Sequence, residues 1–172
     1  MLSKPTFGEI LLGFVLMITV FAACKREQKR SEVFEKVFKE SAGGTFRGVD
    51  LGMDLETIRK HEGADPKHDD QWGHVYEYAL SGKRKYFIEY LCLDPKVKKV
   101  NSIVVNVFLE EKSEASDFFA ESEAYLRNRY GVADGTLGNL RWLDEEINLI
   151  TSLRMLDDKK TISMSYGAIE AF

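Results

Sequence analysis

Residues 140–168, LRWLDEEINLITSLRMLDDKKTISMSYGA, decide the fold. They divide into three apolar-rich runs, 140–143, 147–156 and 161–168, separated by Asp144-Glu145-Glu146 and Asp157-Asp158-Lys159. In the last run Ile162, Met164, Tyr166 and Ala168 fall on one side, and in the middle run Ile147, Leu149, Leu153 and Met155 do the same. That period of two marks half-buried strands, and connections this short force neighbours to run antiparallel. A meander with one apolar face then needs a cover.

Upstream, Ser113 or Ser116 caps an expected helix that reaches Tyr130, with Phe118, Phe119, Ser122, Tyr125, Leu126 and Tyr130 on one stripe and Gly131 as its stop. The same order occurs earlier in the chain. Asp54 suits the N-cap of a helix over 55–62, and Gly63 suits its left-handed end. A polar loop over 64–73 leads into strand-like runs at 74–80, 84–93 and 100–110, with Ser81-Gly82 and Asp94-Pro95 as turns. The pattern is helix–strand–strand–strand, twice. It predicts an α+β fold in which two helix–β-meander units form an antiparallel sheet of about six strands, with the helices on one face. Unit one spans 46–111 and unit two 112–172, within a single globular domain over 46–172. The uncovered face is left to solvent or to a partner.

The start of the chain has another character. Residues 10–23, ILLGFVLMITVFAA, are uncharged and apolar, and KREQKR follows Cys24 directly. The run is shorter than the roughly 20 residues a membrane-spanning helix needs, and suits the core of a signal peptide. Phe21-Ala22-Ala23-Cys24 resembles a bacterial lipobox. That resemblance implies a signal peptide over 1–23, acylation of Cys24 with palmitate-type chains, and attachment to the lipid bilayer through that residue. An uncleaved anchor and ordinary secretion are the alternatives. Residues 24–45 would form the tether, with Lys25, Arg26, Lys29 and Arg30 beside the bilayer. Within it Val33, Phe34, Val37 and Phe38 make one face of a short amphipathic helix, and Ser41-Ala42-Gly43-Gly44 makes a hinge. Lys25, rather than aspartate, after the cysteine favours the outer membrane.

The net charge is −4, and removing residues 1–23 takes away one lysine and one glutamate and leaves it unchanged. Mild acidity argues against a nucleic-acid partner, which calls for a basic stripe. The two cysteines are Cys24 and Cys92. With Cys24 acylated, no disulfide framework is available, and Cys92, within YFIEYLCL, reads as a buried thiol.

A family resemblance rests on the first helix. Gly52-Met53-Asp54-Leu55-Glu56-Thr57-Ile58, with Gly63 and Pro66 after it, resembles the helix motif of the small SmpA/OmlA-type outer-membrane lipoproteins. Arg129-Tyr130-Gly131 is similar to the helix end in doubled versions of that unit, the fold of β-lactamase-inhibitor-like proteins. The resemblance implies a binding or assembly module rather than an enzyme.

Motifs for chemistry are sparse. HExxH, GxSxG, CxxC, Walker and dinucleotide patterns do not occur in the sequence, and no cofactor is expected. His61, His68 and His74, interleaved with Asp65, Asp69 and Asp70, are weak metal candidates whose spacings match no standard ligand set. Acidic pairs at Glu110-Glu111 and Asp157-Asp158 fall at strand ends and turns. Trp142 reads as core, whereas Trp72, Tyr76 and Tyr78 are candidate protein-binding residues, because aromatics dominate interface energetics. The leading expectation is a membrane-anchored, non-enzymatic module that binds a protein of the cell envelope. The alternatives are a surface-exposed lipoprotein that binds host or environmental macromolecules, and a metal-dependent hydrolase that uses the histidine loop.

Overall fold

The computed structural model describes residues 30–39 and 42–169, so the expected signal peptide and Cys24 lie outside the described residues. Helix α1 (Glu32–Phe38) comes first. Helix α2 (Leu55–Glu62) is followed by strands β1 (His68–Asp70), β2 (Gly73–Ala79), β3 (Lys85–Leu91) and β4 (Ser102–Phe108). Helix α3 (Lys112–Tyr130) is followed by β5 (Asp134–Thr136), β6 (Asn139–Asp144), β7 (Leu149–Met155) and β8 (Thr161–Ala168). All the strands join one antiparallel sheet in the order β1-β2-β3-β4-β8-β7-β6-β5. Each meander therefore meets the other through its last strand, with Ser102 opposite Gly167 and Phe108 opposite Thr161.

The fold is α+β, with an eight-stranded sheet where about six strands were expected. The additional strands are β1 and β5, three residues each and exposed throughout. His-Asp-Asp and Asp-Gly-Thr carry no apolar alternation, so periodicity does not reveal them. Each is created by a two-residue turn, Gln71-Trp72 or Leu137-Gly138, that folds it back onto the next strand. Helix α3 starts two residues earlier than a Ser113 cap would place it and five earlier than a Ser116 cap would. Glu111 precedes its first residue, and the Glu111 N–H donates to the Glu114 carboxylate at 3.4 Å.

One face of the sheet is covered. Ile103, Val105 and Val107 of β4 sit opposite Tyr166, Met164 and Ile162 of β8, and all are buried. Helix α3 packs over β6, β7 and β8. Trp142 is buried, with its indole N–H donating to the Gly131 carbonyl at 3.0 Å. Cys92 is a free, buried thiol, and burial pushes its pKa up.

Helix α1 belongs to this core. The compact unit starts at Ser31, not at residue 46 as the tether boundary predicted. Phe34 is 0% exposed and stacks on Phe38 at 4.3 Å, and Phe38 meets Tyr125 of α3 at 4.8 Å and Phe46 at 5.9 Å. Phe46 reaches Tyr166 of the central strand at 5.3 Å. Both ends of the helix are pinned. The Ser31 N–H and hydroxyl donate to the Glu121 carboxylate at 2.8 and 2.5 Å, and the Tyr86 hydroxyl donates to the Lys36 carbonyl at 3.1 Å. Phe34 and Phe38 are four residues apart on an amphipathic helix, which the sequence shows. That their face completes the main core depends on α3, more than seventy residues away in the chain.

Replacing Phe34 with alanine should therefore lower the unfolding free energy by about 3–5 kcal/mol, the range for a buried phenylalanine. Urea denaturation measures it, as a lower midpoint at unchanged slope. A loss below about 1 kcal/mol, the scale of a surface substitution, would mean that α1 is a detachable tether.

Candidate functional site

Strand alternation on β2 puts His74, Tyr76 and Tyr78 on the covered face. Two networks, one sealed and one open, are built around them.

The sealed network centres on Arg47 and Glu62, whose side chains are 1% and 2% exposed. Glu62 is the last residue of α2, where the helix dipole disfavours a carboxylate. Arg47 offsets this from 3.7 Å. The Tyr78 hydroxyl donates to Glu62 Oε2 at 2.5 Å, and the Tyr90 hydroxyl donates to Glu62 Oε1. Burial pushes the pKa of Tyr78 and Tyr90 far above the ordinary tyrosine value, and the neighbouring Glu62 charge adds to it. The Arg47 guanidinium also donates to the Tyr86 hydroxyl at 3.2 Å and lies 5.0 Å from the Tyr78 ring centre. A tight loop delivers Arg47, which has φ of 53°. At the next position, Gly48, a Cβ would come 2.9 Å from the His61 ring. That ring bonds the Arg47 carbonyl at 2.7 Å through Nε2. With both charged ends out of solvent, this network holds α2 against the sheet and offers a substrate no approach.

The open network lies between α2 and the β1–β2 hairpin, around a hollow of about 360 Å³ bordered by Glu56, Arg59, Asp69, Asp70, His74 and Lys98. His74 Nε2 is 3.1 Å from Asp69 Oδ1, and Arg59 also pairs with Asp69. Burial holds the His74 pKa below its ordinary value, against the opposing pull of Asp69. Tyr76 is 1% exposed, and burial together with Glu62 pushes its hydroxyl up to about 12. Tyr76 therefore cannot meet a protein partner, which corrects the sequence expectation. Tyr78 is half-buried and committed to Glu62, so it too belongs to the interior.

Trp72 is different. It occupies the tip of the hairpin and is 49% exposed. The turn beneath it is rigid: Asp70 Oδ1 accepts from the Trp72 and Gly73 N–H groups at 2.7 and 3.1 Å, and the Trp72 carbonyl accepts from the Cys92 N–H at 2.7 Å. Leu93, one residue beyond, is 61% exposed.

The histidines do not converge. His61 engages the Arg47 carbonyl, His68 sits 3.1 Å from Asp70, and His74 pairs with Asp69. Among the described residues no group of three or more His, Cys, Asp or Glu side chains is placed to hold a metal ion. The sequence reading missed Arg47, Glu62 and Tyr90. Tyr90 alternates in phase with Ile88 and signals a covered position, whereas nothing local marks Arg47 or Glu62 as buried.

Two outcomes test these networks. Replacing Arg47 with methionine strands Glu62 in the interior and should cost about 3–5 kcal/mol in chemical denaturation. The depressed His74 pKa means that the unfolded chain binds more protons below about pH 6.5, so stability should fall as pH drops from 7.5 to 5.5. That slope should flatten in His74→Leu, and an unchanged slope would exclude His74 as its source.

No protein-family model and no curated protein matches the chain. Among solved structures it is similar to a DUF4309 family protein (YjgB) from Bacillus subtilis, at 11% identity and a TM-score of 0.43. The likeness covers 80% of this chain and 96% of that one.

Proposed function

We propose that this protein is a lipid-anchored, non-enzymatic binding module of a bacterial cell envelope. In this reading acylated Cys24 holds it to a bilayer, with the outer membrane favoured, and the Trp72 hairpin engages another envelope protein. The observation that carries the binding role is a half-exposed indole on a turn already locked by Asp70 and by the Cys92 backbone. Aromatic side chains that are ordered before binding lose little freedom on association, and tryptophan is enriched among the residues that dominate interfaces. A catalytic reading has less support, because the buried ion pair is inaccessible and the three histidines serve three different partners. The anchor is supported by the apolar run over 10–23 and by the Phe21-Ala22-Ala23-Cys24 pattern.

Metabolic labelling with palmitate should mark the wild-type chain and not Cys24→Ser, and label-free wild type would refute the anchor. A photo-crosslinking residue at position 71 should give one discrete envelope-protein adduct in intact cells. Replacing Trp72 with alanine should weaken binding to that protein roughly thirtyfold, the effect of a hot-spot residue of about 2 kcal/mol. An adduct that survives Trp72→Ala at full yield would remove the hairpin from the interface.

A further inference from the structure

The sheet face turned away from the helices is complementary to itself. Alternation along the strands puts Phe87, Glu89 and Leu91 of β3 on this face, together with Ile150 and Arg154 of β7 and Arg141 of β6. Some of its charge is settled internally. Glu77 pairs with Lys67 and with Lys85, and both amines also lie over the Phe87 ring, at 5.2 and 5.0 Å. What remains is divided between the two halves. Glu89, on the first half, accepts only from the Asn106 amide, at 3.3 Å, among the described residues. Arg141 and Arg154, on the second half, are exposed and have no ion-pair partner among the described residues.

We infer that a second copy of this chain docks on this face, related by a twofold axis that runs along the β4–β8 seam. Such an axis sets β3 of one copy over β7 of the other, and β2 over β6. The ladder registers then state what meets what. Leu91 is level with Ile150, which its own chain already buries, so the charged groups rather than this level carry the contact. Glu89 is level with Ser152, which Arg141 flanks across the β6–β7 ladder and Arg154 flanks two residues along β7. The carboxylate arrives between two guanidiniums. Phe87 is level with Arg154, but its ring already carries the Lys67 and Lys85 amines, so it adds no contact of its own. Each contact occurs twice. A twofold axis across the strands would instead stack each half on its own counterpart, arginine on arginine, so the charges select the first orientation.

Size is adequate. Six strands about 4.8 Å apart and about 23 Å long present about 650 Å² per copy, or about 1,300 Å² for the pair, within the range of specific interfaces. Sheets stacked in this way pack about 10 Å apart with their strands within about 30° of each other. The surface is separate from the Trp72 tip and does not depend on it.

The test is analytical ultracentrifugation of the full chain in mild detergent over micromolar concentrations. The wild type should sediment as a dimer. Glu89→Arg alone, and Arg141→Glu with Arg154→Glu, should each weaken dimerisation at least tenfold. An equimolar mixture of the two variants should recover a heterodimer, because each reversed charge then meets its opposite. Trp72→Ala should keep the dimer intact, which distinguishes failure here from failure of the hairpin as a partner site. A wild-type monomer throughout the range overturns the inference. So does a dimer indifferent to either reversal, or a mixture that stays monomeric.

Discussion

The antiparallel ladder between β4 and β8 is the constraint on which the rest of the molecule depends. Each meander ends in a strand whose outer edge is unpaired until the other half supplies a partner. Once the two strands pair, Ile103, Val105 and Val107 become continuous with Tyr166, Met164 and Ile162, and one core forms in place of two incomplete ones. Helix α1 locks this join from above. Its phenylalanines touch α3, and Phe46 carries the contact on to Tyr166, so halves distant in sequence are fastened at the same place.

The repeat makes the specialisation of the first half visible. Matching the two hairpin registers equates His74 with Leu140, Tyr76 with Trp142 and Tyr78 with Asp144. Further in, Tyr86 corresponds to Leu149 and Tyr90 to Leu153. Helix length explains much of this contrast. The second half is covered by a 19-residue helix that seals an apolar face, whereas α2 has 8 residues and covers less. Tyrosines around a carboxylate and a guanidinium close that gap. They bury large rings, and every hydroxyl bonded to Glu62 or Arg47 offsets the desolvation that a buried polar group would otherwise suffer.

Much of the fold is legible from local pattern, and what is hidden is hidden for physical reasons. The run over 161–168 coincides with β8, because alternation, turn residues and burial all agree there. Gly63 takes the left-handed φ of 65° expected of a helix stop. Strands β1 and β5 are invisible to periodicity, since they are exposed on every residue and owe their existence to pairing. Alternation already held the evidence against Tyr76 as a surface residue, because it shares a face with Tyr78 and His74 that the helices must cover. The buried pair could not be read. Arg47 and Glu62 lie in polar stretches fifteen positions apart, and their burial arises only when α2 docks on the sheet.

Packing of α1 also sets a short leash. The compact unit that contains α1 begins at Ser31, so six residues lie between Cys24 and it, a span of seven peptide steps. A fully extended chain covers at most about 3.6 Å per residue, so a lipid on Cys24 would keep the first turn of α1 within about 25 Å of its point of attachment. On so short a connection an acylated chain would hold its α1 end close to the lipid, and the reach of any binding surface would be set by the dimensions of the folded unit itself.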